Sequence, residues 1–164
     1  LLRFIGLFTG IFISLFTLEM LNPVQAHVIV PFTSWLAQIS ASLILPFDTG
    51  VIAYGKVIRD LASGFAVSIE AGCNGVEAAI VLIAAVVAFP ATIRQRIAAI
   101  AIGFIAIQVM NIARIISLFY LGQWNTEIFT WTHLYLWPVL IMLDVLVIFV
   151  MYLRFLAARQ GQAS

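Results

Sequence analysis

Three residues carry chemistry that apolar packing does not need: Cys73 in "EAGCNGVEA", Arg114 in "NIARI" and His133 in "WTHLYLWP". Cys73 is the only cysteine among 164 residues. A thiol is a useful nucleophile only as the thiolate, and a helix N-terminus or a neighbouring imidazolium lowers its pKa toward neutrality. Cys73 stands just before an apolar run, with Asn74-Gly75 expected to give a flexible approach. His133 is suited to a thiolate–imidazolium pair and to protonating a leaving amine. Arg114 is permanently charged, a poor base but a good partner for a developing oxyanion in a low-dielectric site. Together these types suggest acyl transfer through a thioester. Singly, each has a plainer reading: a packed thiol, an arginine reaching for head groups, a hydrated interfacial histidine. One cysteine excludes an internal disulfide, a cysteine-based zinc site and an iron–sulfur cluster. Two distant histidines and scattered acids give no metal-ligand spacing. With no P-loop, dinucleotide fingerprint or haem motif, no cofactor is expected.

The elements that position these residues lie in a membrane. Hydrophobic residues make up 64% of the chain and charged ones 9%, against about 25% charged in soluble domains. A net charge of +1 offers no basic surplus for nucleic acid, which leaves membrane lipids as the surroundings. Four windows approach the roughly 20 residues a spanning helix needs: Phe4 to Leu21, closed by Asn22-Pro23; Val76 to Phe89, lengthened around Cys73 and stopped by Pro90; Ile97 to Leu121; and Leu134 to Leu156. The expected fold is a single all-α integral membrane bundle over 1–164, with transmembrane helices at about 4–21, 74–90, 97–121 and 134–156. The opening "LLRFIG" has no A-x-A-like cleavage site and reads as part of a span rather than a signal peptide. Arginines of short loops favour the cytoplasm. Arg3, Arg94, Arg96, Arg154 and Arg159 therefore belong inside, which sets 22–73 and 122–133, and the thiol, on the outer face.

Residues 28–47 are long enough to cross, but a crossing there would turn Arg94 and Arg96 outward. Val28, Phe32, Trp35, Leu36, Ile39 and Leu43 share one helical face, which predicts an amphipathic interfacial or re-entrant helix between Pro31 and Pro46. "GKVIRDLASGFAVSIEAG" predicts a short β-hairpin around Ser63-Gly64. Helix and hairpin would form an outer cap over about 22–72. Arg114 precedes Leu121 by seven residues, roughly 10 Å along the axis, so Cys73, Arg114 and His133 reach one outer layer from three elements. Charge inside a spanning segment marks a functional site by default. Gln108, Asn111, Arg114 and Ser117 recur every three residues and predict a polar ridge facing protein. Asp144 is expected to hydrogen-bond Asn111 at similar depth. Glu77 is expected either to pair with Arg114 or to turn toward water. His27 reads as solvated, and Lys56, Arg59, Asp60 and Glu70 as the wet face of the hairpin, with Glu70 near enough to orient a substrate. Trp124, Trp131, Trp137 and Tyr135 suggest an aromatic belt, with Trp131 or Tyr135 also lining the cleft.

The ordered set "EAGCNGVEA", "NIARI" and the histidine of "WTHLYLWP" resembles the exosortase/archaeosortase family, in a compact form similar to exosortase H, over roughly 50–155. The resemblance implies a multi-spanning fold with sortase-like chemistry: Cys73 as nucleophile, Arg114 as transition-state stabiliser, His133 as acid/base; from their positions, Asn111, Glu77, Asp144 and Asn74 are expected in support. It implies as substrates exported proteins bearing a C-terminal sorting signal, made of a short motif, a transmembrane helix and a basic tail. The enzyme would cut near the motif and transfer the protein to an acceptor, lipid or glycan left open. The implied location is the bacterial cytoplasmic (inner) membrane, with the site on its extracytoplasmic face. The chain departs from eight-span members in lacking their N-terminal helices, and Cys-Asn-Gly replaces the commoner Cys-Ser/Ala-Gly, which leaves signal and acceptor open. Two other classes stand beside this one: a non-catalytic membrane subunit, for which Cys73→Ala would be silent, and a lipid acyltransferase using the same thiol. A transporter would need a polar track to the inner face, and Ile97 to Ile107 offers none.

Overall fold

In the computed structural model, which describes residues 1–161, every long apolar run is helical. Helix α1 (Leu2–Glu19) ends ahead of Asn22-Pro23. There α2 (Asn22–Val24), a π-helical turn (Gln25–Ile29) and α3 (Val30–Ile44) form one run. Strands β1 (Val51–Tyr54), β2 (Val57–Asp60) and β3 (Ala66–Ser68) follow. Helices α4 (Val76–Ala88), α5 (Ile93–Trp124) and α6 (Thr126–Trp131), a second π-helical turn (Thr132–Leu136) and α7 (Trp137–Gly161) complete the chain. Four runs are long and apolar enough to cross a membrane: Leu2–Glu19, Asn22–Ile44, Ile93–Trp124 and Thr126–Arg159. The protein is the expected all-α membrane bundle with a small antiparallel sheet. The set of four differs in one member, because α4 has only 13 residues, about 20 Å of helix, while Asn22–Ile44 qualifies by length.

Short α4 is nonetheless the centre of the bundle, packed against α1, α5 and α7. Its buried residues are mostly small, among them Ala78, Ala79, Ala84, Ala85 and Ala88. Lipid tails are as apolar as leucine, so helices associate there through close packing, which small residues permit. Gly103 of α5 lies so near α4 that a Cβ would sit 2.4 Å from Leu82 Cδ2. Leu82, Val86, Ile107, Ile141 and Val145 fill the middle of the bundle. At one end Phe4 packs against Phe89 and Phe149, with centroids 6.4 and 6.3 Å apart. The start of α1, the end of α4 and the second half of α7 thus share that end with Arg94 and Arg96. Pro90 ends α4 by holding Phe89 extended (φ −83°, ψ 138°). Thr92 and Gln95 then start α5 with a reciprocal capping box.

At the other end α5, 32 residues long and so about 48 Å, exceeds the roughly 30 Å of a hydrocarbon core. Its last turns carry the sheet: Phe65 packs on Phe119 at 6.0 Å, and a Cβ on Gly122 would lie 2.3 Å from Phe65 Cζ. Helix α3 climbs beside the same stretch, from Phe32 against Phe104 to Ile44, which joins Ile58, Ile115 and Phe119 in a second core. The face it buries is Thr33, Leu36, Ala37, Ser40, Ala41 and Ile44, which shares only Leu36 with the large apolar face of its pattern. Val28, Trp35 and Leu43 are exposed. In lipid the bulky residues can face outward and the small ones face protein. The sheet has the order β1-β2-β3. The β2–β3 hairpin was expected. Strand β1 was not, although it pairs with β2 in register Val51↔Asp60 to Tyr54↔Val57 around a two-residue Gly55-Lys56 turn. Asp60 is buried rather than wet, because its carboxylate accepts the backbone N–H groups of Ala62 and Ser63 at 2.9 and 3.0 Å.

Candidate active site

The turn from β3 to α4 carries the thiol. Cys73 N–H donates to Glu70 O at 3.0 Å, folding the chain back, and Gly75 at φ +76° opens α4. Only glycine fits there: beyond the left-handed backbone, a Cβ would meet Gln108 Nε2 at 2.9 Å. Asn74 is 1% exposed and fixed. Its Oδ1 accepts Val76 N–H at 3.1 Å and its Nδ2 donates to Thr33 Oγ1 at 3.2 Å. The flexible approach expected of Asn74-Gly75 is therefore a lock tying the Cys73 loop to α3. Thr33 is a residue sequence reasoning missed, since a threonine facing its own helix carbonyl gives no pattern.

Arg114 reaches the loop from α5. It is 5% exposed, donates through Nη1 to Gly72 O at 3.1 Å and through Nη2 to Cys73 Sγ at 3.2 Å. Glu77 does not pair with it. Its Oε1 accepts Gly72 N–H at 2.5 Å, so Gly72 is gripped by the carboxylate on one side and the guanidinium on the other. Among the described residues the one ion pair is Lys56–Glu70, so the buried guanidinium has no carboxylate counter-ion. Such a charge is costly unless paired, and the sulfur is the group beside it that can become an anion. Burial pushes the Cys73 thiol above its ordinary value, the Arg114 guanidinium pulls it down, and Glu77 and Glu70 push it up. The net direction is upward, not the lowering expected from the sequence. Desolvation outweighs the cation.

His133 arrives from the second π-helical turn, an irregularity frequent at functional sites. It lies one turn before α7 and follows α6, whose cap is Asn125. Its Nε2 is 4.0 Å from Cys73 Sγ. Its ring stacks on Phe129, 5.8 Å between centroids, and its buried Nδ1 has no partner among the described residues. Phe129 also was missed. It lines the cavity of about 160 Å³ that holds Cys73, Arg114 and His133, whereas Trp131 and Tyr135 line a separate outer groove.

The supporting residues divide. Gln108, Asn111 and Arg114 are buried as one ridge, and Ser117 Oγ accepts Trp137 Nε1–H at 3.1 Å. Asn111 does not bond Asp144. Its Nδ2 donates to Gln108 Oε1 at 3.4 Å, because Gly75 abuts Gln108 and Asn111 and turns the ridge toward α4. Asp144 Oδ2 has no partner among the described residues. His27 is exposed, its Nδ1 beside Pro23 O.

No curated protein and no solved structure matches this chain. Residues 3–153 match the family described as Transmembrane exosortase (Exosortase_EpsH). That match covers most of the sequence and every residue of the cavity, and it accords with a multi-pass bundle of apolar helices. The chain belongs to the transmembrane exosortase family.

Proposed function

We propose that this exosortase-family protein is a membrane-embedded cysteine transpeptidase in which Cys73 attacks, Arg114 holds negative charge and His133 moves the proton. Family membership supports a membrane transpeptidase acting on exported proteins. The observation that carries the residue roles is a buried guanidinium without a carboxylate partner, 3.2 Å from the chain's only thiol, with an imidazole 4.0 Å from the same sulfur.

The Cys73 S–H proton passes to His133 Nε2 as the sulfur adds to the scissile carbonyl. The carbonyl oxygen becomes an oxyanion, and the Arg114 guanidinium moves its interaction from sulfur to that oxygen. His133 returns the proton to the departing amine, the C–N bond breaks, and a thioester remains on Cys73. An acceptor amine, hydroxyl or water then adds to the thioester carbonyl and gives its proton to His133; the C–S bond breaks, and His133 returns that proton to the departing Cys73 sulfur, regenerating the thiol. Because burial raises the Cys73 thiol, its proton leaves as the sulfur attacks, and substrate that displaces water from the cavity strengthens the guanidinium's contribution.

The proposed substrate is an exported protein whose C-terminal signal combines a short motif, a transmembrane helix and a basic tail. Its cleavage would occur on the extracytoplasmic side of a bacterial cytoplasmic membrane. Two features support that side. The loop arginines favour the cytoplasm, and Arg94 and Arg96 stand at the Phe4/Phe89/Phe149 end of the bundle, away from Cys73. The test compares C-terminal peptides of exported membrane proteins between host cells making the wild-type chain and cells making Cys73→Ala. Proteins ending in a helix and basic tail should lose that end only with the wild type. Identical C-termini in both strains would reject the reading, and a fatty acyl group on Cys73 released by hydroxylamine would favour lipid acyl transfer.

A further inference from the structure

The cavity at Cys73 is also lined by five consecutive residues, Val67 to Ala71. Along a strand, side chains alternate between faces. Ile69 is buried and Val67 packs against the core, while Ser68 and Glu70 are exposed. A cavity lined by residues of both faces in succession lies off the strand's edge. Strand β2 occupies the other edge of β3, so the cavity runs along the free one.

The backbone groups facing that edge follow from the ladder. Asp60 N–H donates to Phe65 O and Ile69 N–H to Lys56 O, both at 2.9 Å. In antiparallel pairing the groups of alternate residues turn toward the same neighbour. Phe65, Val67 and Ile69 therefore face β2, and Ala66, Ser68 and Glu70 face the cavity side. Glu70 O is taken by Cys73 N–H. The N–H and C=O of Ser68 and the N–H of Glu70 have no partner among the described residues. An open strand edge is ordinarily blunted or covered. Here it leads from the outer surface to the nucleophile, with Phe129 and His133 across the cavity.

We propose that β3 receives the substrate as an added strand. An extended peptide segment beside the scissile bond pairs with Ser68 and Glu70 and is thereby delivered to Cys73. Main-chain pairing gives such complexes their affinity, and pockets for alternate side chains give selectivity. On this proposal Ser68 and Glu70 are positioning residues acting through their backbone. The inference rests on the transpeptidase reading of the same site.

The test uses the purified full chain in detergent and two alkylating agents. N-acetyl-tetra-alanyl chloromethyl ketone presents a backbone able to pair; the Cys73 sulfur displaces its chloride, forming C–S as C–Cl breaks, and the thiol proton goes to solvent. Iodoacetamide reads the thiol alone. A series carrying one N-methylalanine at each position in turn removes single N–H donors. The proposal expects the rate to fall about 3–10-fold, the loss of one hydrogen bond, at the one position whose N–H meets Ser68 O and not at the positions on either side of it. It also expects Ser68→Pro, which deletes an N–H that β2 does not use, to lower the ratio of tetra-alanyl to iodoacetamide rates by a similar factor. Equal rates through the N-methyl series, or equal losses at adjacent positions, with normal iodoacetamide alkylation, would overturn strand addition and leave the nucleophile standing. A wild-type Cys73 inert to both reagents would remove both readings. The N-methyl series needs no variant, so a misfolded Ser68→Pro cannot blur the result.

Discussion

Replacing Arg114 with alanine tests the electrostatics on which the proposed chemistry depends. The guanidinium Nη2 is 3.2 Å from Cys73 Sγ. Coulomb's law at that separation gives about 1 kcal/mol for a thiolate–guanidinium pair in fully aqueous surroundings and about 5 kcal/mol at an effective dielectric of 20. Even the lower figure means nearly tenfold less thiolate at fixed pH. A less acid thiol is intrinsically more nucleophilic, with a Brønsted slope of about 0.4–0.5, so roughly half of the logarithmic loss is recovered and the net fall is about threefold or more. The sign follows from the site. Burial raises the Cys73 thiol and Arg114 opposes that rise, so removing the cation moves the pH–rate profile further toward alkaline pH. The assay is the initial rate of iodoacetamide alkylation from pH 6 to 10, in detergent, for wild type, Arg114→Ala and Arg114→Lys. The wild-type profile should rise above the ordinary thiol range near 8.5, Arg114→Ala should lie below it at every pH short of saturation, and Arg114→Lys should fall between. Superimposable profiles for wild type and Arg114→Ala would refute the argument that this cation stabilises the sulfur anion.

Three further outcomes follow from the same contacts. Glu77→Gln keeps an acceptor for Gly72 N–H but removes a charge that raises the thiol, so its alkylation profile should move to lower pH; a shift the other way would contradict the assignment. His133→Ala should reduce processing of exported substrates by about 10²–10⁴-fold, since the imidazole 4.0 Å from Sγ both takes the sulfur's proton and returns one to the leaving amine, whereas iodoacetamide alkylation, which needs no proton for a leaving amine, should fall less. Retained processing would exclude it as the acid/base. Gly75→Ala forces a side chain into φ +76° and to within 2.9 Å of Gln108 Nε2, which should cost about 1–2 kcal/mol or more and lower Tm in detergent; an unchanged Tm and alkylation rate would show that α4 and α5 can part there freely.

The sequence by itself determined the solvent, the class of fold and the level at which Cys73, Arg114 and His133 meet. Hydrophobic runs ended by Pro23 and Pro90, arginines gathered in Arg94 and Arg96, and a rise of about 1.5 Å per residue were enough to bring Cys73, Arg114 and His133 to one level. Position along a helix axis is fixed by counting. Direction around the axis is not, because in lipid both the buried and the exposed sides of a helix are apolar. That is why α3 buries Thr33, Ala37, Ser40 and Ala41 beside Leu36 and Ile44, why Asn111 met Gln108 instead of Asp144, and why Trp131 and Tyr135 faced another groove. Only the packed chain decided that Glu77 and Arg114 would grip Gly72 from opposite sides, since the fold of a glycine-bearing loop depends on what closes over it. Strand β1 and the open edge of β3 belong to the same category. Four residues of alternating pattern around a Gly-Lys turn are a weak local signal, and an edge is free only by virtue of what the rest of the molecule leaves uncovered. The acidity of Cys73 was likewise tertiary. Its neighbours in sequence suggested an activated thiol, but the burial imposed by α3, α4 and α5 outweighs the cation beside it, because desolvating a charge depends on everything that surrounds it.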